Sequence, residues 1–174
     1  MNNTAWWSEN LDPNLTQGDI VSTLSLSALI HPTRYLKKSN TVSNGSISWT
    51  ESDEPFPDKN GKTHYLARGN DRQAIIISHS CDIDKSAKII IVAPIASIDV
   101  LPIDHRQTVM NQTNMRLLGL VDVPGIGDAY ADLRNITSVP VTVINSLSRL
   151  ASMTPQAQTL LQARLVGFFT RKQF

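Results

Sequence analysis

Three side chains with reactive chemistry lie close together in one polar turn. His79, Cys81 and Asp82 fall within 78–86, and Cys81 is the only cysteine of the chain. A Cys–His pair can act as a nucleophile with its base, and the three side chains together can bind a metal. A third interpretation is a small buried cysteine beside an aspartate that caps the turn. Zinc sites pair two such clusters and this chain has one, so we predict that it binds no metal, with His79, Cys81 and Asp82 as weak candidates for ligands. We also predict no other cofactor.

Two apolar runs, 74–77 and 89–93, flank this turn. Each run is long enough for a strand and too short for a buried helix. Neither alternates with polar residues, which is typical of strands covered on both faces at the centre of a sheet. We therefore expect a central hairpin that presents His79, Cys81 and Asp82 at its turn.

Other segments have the patterns of short strands and of one helix. Apolar and polar residues alternate within 18–30, and further strands are predicted within 41–50, 115–123, 129–135 and 136–144, where Pro140 indicates an edge position or a bulge. The last element is a helix, because Thr154 is a good N-cap, Pro155 suits the first helical position and apolar residues then recur at helical spacing. The sequence predicts a mainly β protein, a small β-barrel with a C-terminal α-helix.

The length of 174 residues favours a single domain over 1–174. Within it we expect an N-terminal extension at 1–17 and loop insertions at 31–71 and 98–114. The net charge of +1 gives no strong field, so a nucleic-acid site would need local clustering of cations. The chain lacks an apolar run of the ~20 residues that a membrane span needs, it starts without a signal peptide, and one cysteine suits a reducing compartment. We predict a cytoplasmic protein without membrane association.

Cations and aromatic residues are interleaved before the central hairpin. Arg34, Lys37, Lys38 and Arg68 lie in the same region as Trp49. Such residues can hold single-stranded RNA, or a protein partner, through stacking and charge. A solvated loop would have the same composition, so both interpretations stay open.

Several segments follow one another in an order that resembles the MazF/PemK family of toxin–antitoxin ribonucleases. The matching segments are Gly18-Asp19-Ile20-Val21, then Arg72-Gln73-Ala74-Ile75-Ile76-Ile77-Ser78, then Val92-Ala93-Pro94-Ile95-Ala96-Ser97, then Asp132-Leu133-Arg134-Asn135-Ile136, and finally Arg149-Leu150 with the helix from Thr154. The resemblance covers most of 18–169 and depends on the order of the motifs more than on each motif.

The resemblance implies a small SH3-like β-barrel with long loop insertions that cleaves single-stranded RNA as a metal-independent endoribonuclease. In that family an arginine and a Thr/Ser after a proline line the site, and these positions match Arg72 and Ser97 here. A guanidinium there would stabilise the phosphate, and His79 is a further candidate for acid–base catalysis. The family also implies a prokaryotic or phage toxin that forms a homodimer and is silenced by an antitoxin.

Two departures from that family favour an alternative function. Gln73 stands where the family has proline, and the turn with His79 and Cys81 is foreign to the toxins it resembles. The alternative is a non-catalytic barrel of the same descent that binds a protein or nucleic-acid partner, for example in phage–host defence.

Overall fold

The computed structural model describes residues 5–29, 35–43, 46–55, 57, 60–65, 67–84 and 88–170. The strands are β1 Ile20–Leu29, β2 Tyr35–Ser43, β3 Ser46–Ser52, β4 His64–Tyr65, β5 Ala67–Ile76, β6 Ile89–Ser97, β7 Leu117–Val123, β8 Gly127–Asp132, β9 Thr137–Pro140 and β10 Arg149–Ala151. The helices are α1 Ser80–Asp84, α2 Ile103–Met110, α3 Val141–Asn145 and α4 Pro155–Thr170, with 3₁₀ turns at Ile98–Val100 and Leu133–Asn135.

The chain divides into two compact units, one of Met1–Leu24 with Arg72–Phe174 and one of Ser25–Asp71. A seven-stranded sheet has the order β10-β1-β5-β6-β8-β7, and β9 also pairs with β6. The predicted mainly β class is confirmed, while the closed SH3-like barrel and the single domain over 1–174 stay predictions. Among the described strands β9 pairs only with β6, so Pro140 has the edge position that its type indicated.

The central hairpin predicted from the two apolar runs is present. β5 and β6 are antiparallel and pair Ile75 with Ala93 and Ile76 with Val92. All four residues are 0% exposed, although neighbours along a strand point to opposite faces. Both faces of this pair are therefore covered, as the unbroken apolar runs predicted.

One face of the sheet packs against α4. The core there combines residues of the six strands of the main path with α4, namely Ile20, Ile75, Ile77, Ala93, Ile95, Leu118, Leu120, Val123, Ala129, Ala131, Leu133, Ala151, Met153, Ala157, Leu161 and Leu165. Thr154 caps α4 as predicted, because its hydroxyl accepts a hydrogen bond from the Ala157 amide at 3.3 Å.

The N-terminal extension predicted at 1–17 is bound to this unit over its described residues. Trp6 and Trp7 are partly buried against the core, and the Trp7 backbone pairs with Met153 just after β10. The Trp7 indole N–H donates to the Val121 carbonyl of β7 at 2.8 Å. Trp7 thus contacts β7 and the chain that follows β10, the two outer strands of the sheet order.

The two segments predicted as loop insertions contain regular structure. The segment 98–114 holds a 3₁₀ turn and α2. Val109 is the single buried residue of α2, so the sequence of this helix has no repeat of apolar residues at helical spacing. Within 31–71, β2, β3 and β4 form a three-stranded sheet in the order β3-β2-β4. Likewise α3 occupies the second half of the predicted strand 136–144. None of the described helices is long and apolar enough to cross a membrane.

Candidate functional site

Strand register brings Arg72 to the same face of the sheet as a tyrosine. Tyr130 of β8 lies directly opposite Ala96 of β6 and opposite Gly119 of β7, so the three residues share one face. The pairing of β5 with β6 ends at Ala74, opposite Pro94. Because side chains alternate along a strand, Arg72 shares the face of Ala74, and Ala96 shares the face of Pro94. Arg72, Ala96 and Tyr130 therefore lie on one face of the sheet, which we call the Arg72 face.

On the Arg72 face, β6 with the small side chain of Ala96 lies between the strands that carry the longer side chains of Arg72 and Tyr130. Arg72 is exposed and Tyr130 is half-buried. Since strands are spaced by about 4.8 Å, β5 and β8 lie roughly 10 Å apart across β6. Ala96 between them is partly exposed and has only a methyl group.

Ser97 lies on the other face. It is directly opposite Ala129, which is buried in the core under α4. Its hydroxyl accepts a hydrogen bond from the Asp99 amide at 3.2 Å and so caps the 3₁₀ turn Ile98–Val100. The structure does not bring Arg72 and Ser97 together on one face, and the predicted role of Ser97 in the site stays untested.

A buried carboxylate orients a second arginine at the end of β8. Asp132 is 8% exposed and accepts hydrogen bonds from Arg134 Nε at 2.8 Å, Arg134 Nη2 at 2.7 Å and the Arg134 amide at 3.0 Å. Asn135 Nδ2 donates to the same carboxylate at 2.9 Å. This bidentate pair fixes a guanidinium that is half-exposed to solvent.

These contacts set the charge states at this site. Burial raises the pKa of Asp132, but the hydrogen bonds and charge of Arg134 outweigh it, so that pKa lies below its ordinary value. The pKa of Arg134 is raised, chiefly by its hydrogen bond with Asp132 and in smaller part by the phenol of Tyr130. Tyr130 thus lies within electrostatic reach of Arg134.

The lowered pKa of Asp132 predicts how the stability of the protein depends on pH. A carboxyl whose pKa is lower in the folded state contributes stability above its unfolded pKa of about 3.9 and loses it as pH falls below that value. Asp132→Asn should lower the free energy of unfolding at pH 7 by about 2 kcal/mol and flatten the acid side of the Tm profile between about pH 5 and pH 3. The exposed Asp104→Asn is the control, and an unchanged acid slope in Asp132→Asn would contradict the assignment.

His79, Cys81 and Asp82 form a capped turn. All three are exposed, and the His79 Nδ1 atom accepts a hydrogen bond from the Cys81 amide at 3.3 Å. The Asp82 amide donates to the His79 carbonyl at 2.9 Å. No three His, Cys, Asp or Glu side chains of the described chain lie close enough to hold a metal ion. His79 follows the end of β5, whereas Arg72 lies before its paired part, so His79 and Arg72 are not brought together.

In the other unit, register brings part of the predicted cationic and aromatic set together. Trp49 of β3 is directly opposite Lys38 of β2, and its ring is 43% exposed. The Trp49 ring lies 4.9 Å from the His64 ring. Lys37 is exposed on β2, Lys38 and Arg68 are placed by backbone alone in β2 and β5, and Arg34 lies outside the described residues.

The sequence interpretation missed Tyr130 and the pairing of Asp132 with Arg134. Composition and spacing point to no chemistry at position 130, because only strand register shows that Tyr130 and Arg72 lie on the same face of the sheet. The Asp132–Arg134 segment was visible as a motif, but its ion pair was not.

Comparison with known proteins adds no further assignment. No family model matches this chain, and no curated protein sequence matches it. The candidate site is therefore argued from the geometry of its own residues.

Proposed function

We propose that this protein is a MazF/PemK-like β-barrel that cleaves single-stranded RNA as a metal-independent endoribonuclease. The observation that carries the proposal is the Arg72 face, which holds an exposed arginine and a half-buried tyrosine, with the oriented guanidinium of Arg134 within electrostatic reach of that tyrosine. A guanidinium suits the phosphate of a nucleic acid, whose charge grows in the transition state of cleavage.

Closure of the sheet into an SH3-like barrel is supported by the contacts of its outer strands. Residues of β7 and of β10 share one core, and Trp7 contacts both β7 and Met153 just after β10. A core and a linking side chain shared by the two ends of the sheet support the proposed closure into a small barrel.

The resemblance gains support from two of its motifs that meet. Gly18 has φ +88°, a left-handed conformation, and a Cβ there would lie 2.9 Å from the Cβ of Met153. The next residue, Asp19, forms a buried ion pair with Arg149 at 3.0 Å. The first and last matching segments are thus joined by a contact that requires glycine, a carboxylate and an arginine.

Within this proposal Arg72 stabilises the phosphate, Ser97 keeps the place in the site that the resemblance implies for it, and His79 is a further candidate for acid–base catalysis. Trp49 with Lys37, Lys38, Arg34 and Arg68 would bind the RNA strand or a partner. A homodimer, an antitoxin partner, a cytoplasmic location and a prokaryotic or phage source belong to the same proposal.

Cleavage of a long single-stranded RNA in EDTA tests the proposed function. Wild type should cut it at a short preferred sequence, and Arg72→Ala should cut at least about 100-fold more slowly, because it loses the cation that faces the phosphate. Lys88→Gln, which removes an exposed cation just before β6, is the matched control and should cut at the wild-type rate. Equal cleavage by wild type and Arg72→Ala would contradict the assigned site.

The second candidate function is the non-catalytic barrel that binds a protein or nucleic-acid partner. It is favoured by the hydroxyl of Ser97, which caps a turn on the core face, while Ala96, without a hydroxyl, lies on the face that carries Arg72. RNA that stays intact with folded wild type, yet binds it in a mobility-shift assay, would support this candidate over the enzyme.

A further inference from the structure

We propose that the phenol of Tyr130 is the proton donor to the leaving group in the cleavage reaction. The inference rests on the proposed function and adds a catalytic residue that neither composition nor the resemblance indicates. Its basis is the position of Tyr130 directly opposite Ala96, on the face of the sheet that carries Arg72.

The surroundings of Tyr130 hold its ring in place. The ring is half-buried and packs against the small core formed by Ile98, Val109 and Leu117. Because that cluster holds the ring on the α2 side, the phenol has few orientations to lose on substrate binding. The charge of Arg134 lies within electrostatic reach of the phenol.

The other two hydroxyl or imidazole candidates lack this position. The Ser97 hydroxyl caps the 3₁₀ turn on the core face, and the His79 Nδ1 atom accepts the Cys81 amide beyond the end of β5. Of Ser97, His79 and Tyr130, only Tyr130 shares the face of Arg72.

The proposed step balances without a metal or a co-reactant. The 2′-hydroxyl of the RNA attacks the adjacent phosphorus, loses its proton to solvent, and forms a 2′,3′-cyclic phosphate as the bond from phosphorus to the 5′-oxygen breaks. Tyr130 gives its proton to that 5′-oxygen, which leaves as a hydroxyl, and the phenolate then takes a proton from solvent. Arg72 would contact the non-bridging oxygens throughout.

A pair of substrates separates acid catalysis from a structural role of the ring. The first is a short RNA with the mapped cut site, and the second is the same RNA with sulfur in place of the bridging 5′-oxygen, since a thiolate leaves without a proton. Tyr130→Phe should cut the oxygen substrate about 100-fold more slowly than wild type and the sulfur substrate at nearly the wild-type rate. Thr142→Val, which removes an exposed hydroxyl from α3, is the control and should behave as wild type on both.

Each other outcome has one meaning. Wild-type rates of Tyr130→Phe on the oxygen substrate would overturn the inference while the ribonuclease stands. An equal loss on both substrates would also overturn it, because a ring that only shapes the site slows both reactions. Wild type that cuts neither substrate would overturn the proposed function itself, and the inference with it.

Discussion

Replacement of Arg149 by alanine is expected to lower the free energy of unfolding by about 3–5 kcal/mol. Its partner Asp19 is 0% exposed, and the Arg149 Nη1 atom lies 3.0 Å from its carboxylate. Asp19 would keep its hydrogen bonds from the Thr16 amide and the Ser152 hydroxyl but would have no counter-charge. A buried carboxylate left without a cation is among the costliest single defects in a protein.

The same arginine holds the N-terminal segment against the sheet. Its guanidinium donates to the backbone carbonyls of Asp12 and Asn14 as well as to Asp19. Arg149→Ala therefore releases the chain that leads to β1 in addition to leaving the carboxylate unpaired. Arg149→Lys keeps the charge and loses the fork of donors, so it should recover part of the stability.

Urea unfolding followed by tryptophan fluorescence measures the effect, with Arg106→Ala as the matched control. Arg106 forms an ion pair with Asp99 at 2.8 Å, a shorter distance than that of Arg149, but the Asp99 side chain is 78% exposed. Exposed pairs contribute about 1 kcal/mol or less, so burial rather than distance should rank the two variants. Equal destabilisation by Arg106→Ala and Arg149→Ala would contradict this account.

Elements with strong local patterns could be predicted from the sequence. The β5–β6 hairpin was predicted because its apolar runs are unbroken, and α4 because an N-cap, a proline and an apolar period coincide at its start. In both cases burial selects the residue types along a single segment. The pattern within that segment is then enough to identify the element.

Elements held by contacts outside their own segment were missed. α2 buries only Val109, and Ile103 at its start is 79% exposed, so its apolar residues follow no helical period. Its N-terminal end is held by the Arg106–Asp99 ion pair and by Arg106 Nε donating to the Leu101 carbonyl. No spacing rule could reveal those contacts before the fold was known.

The candidate site was predictable in part for the same reason. Arg72 was identified from its motif, but its neighbours depend on which residues of β6 and β8 stand opposite one another. A shift of one residue in strand register exchanges Ala96 for Ser97 and turns the hydroxyl from the core face to the site face. Register is set by long-range pairing, which a single sequence does not disclose.

The second large effect is expected at Gly119, the residue of β7 opposite Tyr130. A Cβ built there would lie 2.5 Å from the Val109 carbonyl oxygen and 3.0 Å from Gln112 Nε2. The first of these atoms is backbone of α2, so the whole helix must move to admit one methyl group. Gly119→Ala should lower the free energy of unfolding by about 3 kcal/mol.

The displacement should also reach the proposed site, because α2 supplies Val109 to the cluster against which the Tyr130 ring packs. Gly69→Ala is the matched control, since nothing lies within 4 Å of a Cβ at Gly69, and it should leave stability unchanged or raise it by about 0.5 kcal/mol. Urea unfolding of the two variants gives the comparison, and the RNA cleavage rate of Gly119→Ala gives the link to the site. A Gly119→Ala protein as stable as wild type would contradict the close packing of α2 on β7. One that is destabilised yet cleaves at the wild-type rate would separate the position of α2 from the function of Tyr130.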